Sequence, residues 1–119
     1  MALEHALPGE PVDITPLGPA LATATTHAIL KTHALELMRV VLRTGEALPP
    51  HEVQGELTLF CIEGEAEVTW AERPFVLHAG QLVLLPAGER HAVRALQDTS
   101  MLLTIQLPPG APGSASSTH

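Results

Sequence analysis

The chain has 119 residues, with thirteen acidic side chains against six basic ones and a formal charge of −7. That length allows one domain with a single core. The charge argues against nucleic acid, whose phosphates need clustered Lys and Arg, and against anionic membrane surfaces. Hydrophobic residues make up 45% of the chain but aromatic ones only 3%, so the core must be packed from Leu, Val, Ile and Ala. The single cysteine, Cys61, rules out an internal disulfide and fits a reducing cytoplasm. The N-terminal MALEHALPGE has no basic segment leading into an apolar run, so it does not read as a signal peptide. No window reaches the ~20 apolar residues of a membrane helix.

Residues 1–25 are rich in Pro, Ala and Thr, and Pro8, Pro11, Pro16 and Pro19 forbid a long helix. An irregular arm with at most one short strand is expected, laid along the core or a partner. His27 to Lys31 reads as a first strand, with His33-Ala34 as a connector. Leu35 to Arg43 places Met38, Val40 and Leu42 on one face and Arg39, Val41 and Arg43 on the other. Its Ala, Leu, Glu, Met and Arg content also suits a helix, but Val40-Val41 and the Thr44-Gly45 exit favour a strand.

Gly45 and the Pro49-Pro50 pair lead into His51 as a turn segment. Leu57 to Ile62 is a strand, Gly64 makes a corner, and Glu65 to Trp70 alternates with Ala66, Val68 and Trp70 inward. Ala71 to Pro74 reads as a turn. Phe75 to His78, Leu82 to Leu85, His91 to Leu96 and Ser100 to Leu107 complete a series of short strands broken by Gly and Pro, the pattern of an all-β sandwich or barrel. Residues 108–119, PPGAPGSASSTH, are too poor in apolar side chains to pack and are expected to be flexible. The runs LTLFCI, LVLL and MLLTI are apolar on both faces, so their outer face needs a cover, either the arm or a second subunit. A homodimer is expected.

Two spacings tie the chain together. Gly45, five residues, His51 and, further on, Gly64 form the first; Gly80, five residues, Pro86-x-Gly88, two residues and His91 form the second. With these motifs, over roughly residues 35–107, the chain resembles the cupin family. The resemblance implies an all-β, jelly-roll-like cupin β-barrel over residues 26–107, between the arm and the tail. It also implies a divalent metal (Zn, Fe, Mn or Ni), which typical cupins hold with three histidines and one glutamate. In this chain the second histidine position is Val53, the glutamate position is Leu57, and the second motif's asparagine position is Ala95. Of the four metal ligands only His51 and His91 remain.

That loss has a chemical consequence. A catalytic zinc site normally has three protein ligands plus water, and non-haem iron sites take two histidines plus a carboxylate. Two imidazoles beside Val53 and Leu57 supply neither the number nor the charge. Gln54, Glu56 and Glu89 are the nearby substitutes, and Glu56 reaches the interior only if Gly55 makes a bulge.

The expected site is therefore a small-molecule pocket lined by His51, Val53, Leu57, Cys61, His91 and Val93, with a partial, vestigial two-histidine metal site. Such a pocket suits a small, largely apolar ligand oriented by one or two imidazoles. The alternatives are a metal-dependent oxygenase or isomerase using His51 and His91, and an interaction protein with a closed cavity; no catalytic residue is assigned. Cys61 reads as a small buried hydrophobe. Arg39 and Arg43 either bind a substrate carboxylate or pair with surface acids. The Glu63/Glu65/Glu67 cluster reads as a solvated hairpin, and His27, His33 and His78 as surface residues.

Overall fold

The computed structural model describes residues 6–51 and 54–107, the side chains of 49–51 apart. A 3-10 helix, Gly18–Thr23, precedes nine strands among the described residues. They are β1 (His27–Lys31), β2 (Leu35–Leu42), β3 (Ala47–His51), β4 (Leu57–Glu63), β5 (Glu65–Trp70), β6 (Arg73–His78), β7 (Leu82–Leu85), β8 (His91–Ala95) and β9 (Thr99–Gln106). Hydrogen bonding organises them into a five-stranded sheet, β1-β2-β9-β4-β7, and a four-stranded sheet, β3-β8-β5-β6. Every pairing is antiparallel. The two sheets form a jelly roll that closes by packing side chains between them. Among the described residues no helix is long and apolar enough to cross a membrane.

The strand alternation read from the sequence sets the core. Val40 and Leu42 of β2, Leu57, Leu59 and Cys61 of β4, and Met101 and Leu103 of β9 point in from one sheet. Ala66 and Val68 of β5, Leu77 of β6, and Val93 and Ala95 of β8 meet them from the other. The core cluster is aliphatic apart from the edges contributed by Trp70 and Phe75. Turning from β4 into β5 takes Gly64 alone, at φ 88°; a Cβ there would lie 2.3 Å from the Asp98 carbonyl oxygen. Only glycine fits, because the backbone is both left-handed and in contact.

Three local expectations are corrected. β3 is a strand, although Pro49-Pro50 argued for a turn; it lies at a sheet edge and its register slips between Leu48 and His51, the setting in which prolines are tolerated. The arm carries a 3-10 helix and no strand among its described residues. The expected turn at Ala71–Pro74 is tighter: Trp70 pairs with Arg73, and Ala71 and Glu72 alone make the turn at φ 53° and 65°. Positive φ at both positions is the type I′ geometry that matches strand twist.

The arm is fastened over the outer face of the five-stranded sheet. Arg39, only 4% exposed, donates to the carbonyls of Asp13 and Thr15 at 3.2 Å each, and Arg43 donates to the Ala24 carbonyl at 2.8 Å. The Glu63 carboxylate accepts from the amides of Leu17 and Gly18 and from the Ser100 hydroxyl. These two arginines thus serve the arm's backbone. Glu63 is an arm anchor, whereas Glu65 pairs with His78 and Glu67 with Arg94 at the surface. His27, His33 and His78 are exposed, as expected.

Candidate functional site

β8 is a central strand, paired with β5 along its length and with β3 at His91, Val93 and Arg94. His91, its first residue, stands opposite His51 of β3 and opposite Trp70 of β5. Facing residues in an antiparallel pair lie on the same side of the sheet, with Cβ atoms about 4.5–5.5 Å apart. His91 and Trp70 therefore share the inner face; His91 is 5% exposed and Trp70 packs against the core cluster. The Pro86–Gly88 turn, with Gly88 at φ 83°, delivers His91 to this position, and its Nδ1 lies 3.4 Å from the Glu89 carbonyl.

The next inward row down the same three strands is Leu48–Val93–Val68, and below it Ala95 faces Ala66. The polar row therefore lies at one end of the jelly roll, over an apolar floor. The same end of the other sheet is also apolar, with Leu57 paired to Leu85 and to Ile105. Each histidine position joins this wall through a link of five residues, 52–56 and 86–90.

The expected pocket residues are thus separated. His51 and His91 are in register, and Val93 and Leu57 lie close below and across, both in the packed core. Cys61 is at the far end: it lies four residues along β4 from Leu57, about 13 Å at the usual rise, and its thiol donates to the carbonyls of Glu63 and Gly64. Burial, joined by the carboxylates of Glu63 and Glu65, pushes the Cys61 thiol above its ordinary pKa, so it is a poor thiolate. Val53 lies outside the described residues, as does the tail 108–119.

Beside His91 the surface opens into a depression of about 430 Å³, lined by the Ala71–Glu72 turn, residues 88–90 and the outward-facing pair Thr69 and Ala92; Trp70, Val68 and Val93 do not line it. Two features here were missed in the sequence. Trp70 was read only as a core residue, yet its Nε1 is buried without a hydrogen-bond partner. The Ala71–Glu72 turn carries no Asn-Gly signature that would have marked it.

Among the described residues no three His, Cys, Asp or Glu side chains come together. At the glutamate position Leu57 is buried in the core. Glu56 is exposed, and its backbone continues the ladder to Gln106. Gly55 is required for a different reason than an inward bulge: a Cβ there would come within 1.8 Å of the Gln106 carbonyl oxygen. Glu72 and Glu89 are exposed on the rim.

Solved structures resemble this fold closely. A conserved protein of unknown function from Streptococcus pyogenes superposes with a TM-score of 0.72 at 20% identity, covering 92% of this chain and 100% of that one. KdgF from Halomonas sp. gives 0.66 at 18% identity over 71% of this chain and 79% of its own. A cupin superfamily protein from Desulfitobacterium hafniense gives 0.69 at 16% identity over 83% of this chain and 100% of its own. At such identities the likeness is one of fold. No curated protein matches the chain in sequence. Residues 38–107 match the family model described as a cupin domain, and because that is more than half of the chain and contains both histidine motifs, the protein belongs to the cupin family.

Proposed function

We propose that this chain is a small-molecule-binding cupin whose ligand sits at the end of the jelly roll marked by His51 and His91, without a resident metal. The observation that carries the reading is the cross-sheet row His51–His91–Trp70 above the apolar row Leu48–Val93–Val68. An apolar floor favours the hydrocarbon part of a ligand by removing it from water, and an imidazole at the rim orients a polar end. The single buried thiol of Cys61 supports a reducing, cytoplasmic setting.

The test has two arms. Untagged protein is assayed for metal by mass spectrometry beside a His51→Ala/His91→Ala variant, and both are titrated with monocarboxylates and ketones of roughly three to eight carbons, a size suited to the depression. Saturable binding that the double substitution abolishes, with metal far below one per chain in both proteins, is the expected result. Near-stoichiometric metal lost in the variant would instead establish the alternative, a metal-dependent oxygenase or isomerase, in which the metal supplies Lewis acidity at an open coordination position. No binder and no metal would leave an interaction protein.

We also propose a homodimer, formed through the outer face of the five-stranded sheet. The arm covers the Arg39 end of that face, while Leu82 and Leu84 on the edge strand β7 stay 63% and 58% exposed. Beside them lie Phe60, Leu102, Thr58 and Thr104. This strip bears no charge in a chain of net charge −7. A second copy, equally acidic, meets least repulsion there, and edge strands bearing exposed apolar residues favour pairing.

A further inference from the structure

Arg39 is a buried cation bonded only to neutral groups. The residue is 4% exposed. Of the five N–H groups of a guanidinium, two are donated here, to the carbonyls of Asp13 and Thr15 at 3.2 Å each. Neither ion pair among the described residues includes Arg39, although charges withdrawn from water are ordinarily paired with an opposite charge. The acids nearest in the fold are engaged with other partners. The Asp13 carboxylate accepts from the amide and hydroxyl of Thr15, and that of Glu63 from Leu17, Gly18 and Ser100.

Arg39 also lines an open depression of about 540 Å³ between the arm and β1, a volume suited to a small ligand. Glu10, Val12, Asp13 and Leu17 of the arm and His27 and Ile29 of β1 line it as well. His27 faces Arg39 across the β1–β2 ladder, so both stand on one side of the sheet. That ladder slips between Ala28 and Leu30, and such bulges re-aim a side chain beside many sites. Here the residue at the slip is Ile29, 9% exposed, in the wall of the depression. Glu10 and Asp13 are exposed and form the rim. One buried positive charge, an apolar wall and two rim carboxylates thus share a single opening.

We propose that this depression binds a free α-amino acid with an apolar side chain: carboxylate on Arg39, ammonium at Glu10 and Asp13, side chain against Ile29 and Leu17. The site is separate from the inner one at His51 and His91 and does not rest on it. A guanidinium takes a carboxylate in a two-pronged grip. A simple anion would meet the repulsion of Glu10 and Asp13 across the same opening, and a simple amine would leave Arg39 uncompensated. A zwitterion answers both.

The probes are L-leucine, 4-methylpentanoate, which lacks the ammonium, and 3-methylbutylamine, which lacks the carboxylate. Each is titrated by calorimetry into the wild type and into His51→Ala/His91→Ala, where the inner site is disabled. In both proteins leucine should bind at least about tenfold more tightly than either analogue, the scale of one charged hydrogen-bonding group. It should also raise amide protection over residues 13–24 in hydrogen exchange, because a ligand stabilises the state it binds. Glu10→Gln/Asp13→Asn, the second change keeping a side-chain oxygen for Thr15, should bring leucine down to the level of 4-methylpentanoate while that acid binds no worse. A collapsed site would weaken both. Arg39→Gln should lose leucine binding. Arg43→Ala, which loosens the same arm at Ala24 away from the depression, should keep it within about twofold. Equal binding of leucine and 4-methylpentanoate, equal loss in Arg39→Gln and Arg43→Ala, or loss of leucine in His51→Ala/His91→Ala overturns the proposal. So does failure of leucine to bind at millimolar concentration, a result that leaves the inner-site reading standing.

Discussion

Arg39 and Glu63 grip the same N-terminal segment from two strands that flank β9, and each binds its backbone rather than its side chains. The guanidinium holds the carbonyls of Asp13 and Thr15; the carboxylate holds the amides of Leu17 and Gly18 just beyond. Removing either should release the arm without unfolding the sheets. Arg39→Ala is expected to cut amide protection over residues 13–24 by about tenfold or more in hydrogen exchange, a measure of local opening, with protection in β4 and β9 retained. Equal loss in all segments would show that the clasp is part of the global fold.

The clasp is also sensitive to pH. Burial opposes ionisation of Glu63, but the Ser100 hydroxyl, the Leu17 and Gly18 amides and the charge of Arg39 outweigh it and lower its pKa from the ordinary 4.5. Asp13 is lowered as well, chiefly by the Thr15 hydroxyl and amide. A depressed carboxylate pKa contributes stability that is present above the unfolded-state value and is lost as pH falls through the folded one. Arm protection should therefore be constant from neutral pH down to about 4.5 and decline below it. Glu63→Gln should start lower and lose most of that decline, which limited proteolysis across the range would record.

Cys61 is buried in the packed core. Its thiol, raised in pKa by burial, should resist iodoacetamide in the native protein at pH near 8 and react only on unfolding. Cys61→Ala is expected to cost about 1–2 kcal/mol in urea denaturation, the scale of a small core truncation, and to leave probe binding unchanged. A matching loss of binding would return this residue to the site.

The Ala71–Glu72 turn can be relaxed. Glycine takes positive φ without the Cβ penalty, so Glu72→Gly should stabilise the protein by about 0.5–1 kcal/mol in chemical denaturation. A destabilised variant would mean that the Glu72 side chain supports the rim.

The proposed pairing face gives the clearest hydrodynamic readout. Wild-type protein at micromolar concentration should scatter light as a dimer, and Leu82→Glu/Leu84→Glu as a monomer with unchanged circular dichroism, because buried like charges oppose association. A monomeric wild type would reject the interface.

Strand positions were legible because alternation is local: Ala66, Val68 and Trp70, between Glu65, Glu67 and Thr69, declare their inner face within a few residues. β3 was not, because Pro49-Pro50 signals a break, and only its place at a sheet edge makes a strand there acceptable. Glu63 was misread for a related reason. Beside Glu65 and Glu67 it looks like one of three solvated acids, and the partners that distinguish it, Leu17, Gly18 and Ser100, lie far away in sequence.

The family and its two surviving histidine positions could be read from the chain itself, since both depend on glycines, prolines and histidines at fixed separations. Which residues stand beside them depended on register between strands distant in sequence. Pairing of β8 with β5 brought Trp70 to His91, and the run of β4 carried Cys61 away from Leu57 to the opposite end. Periodicity states which face a side chain takes; only the pairing of strands states which side chain it meets there.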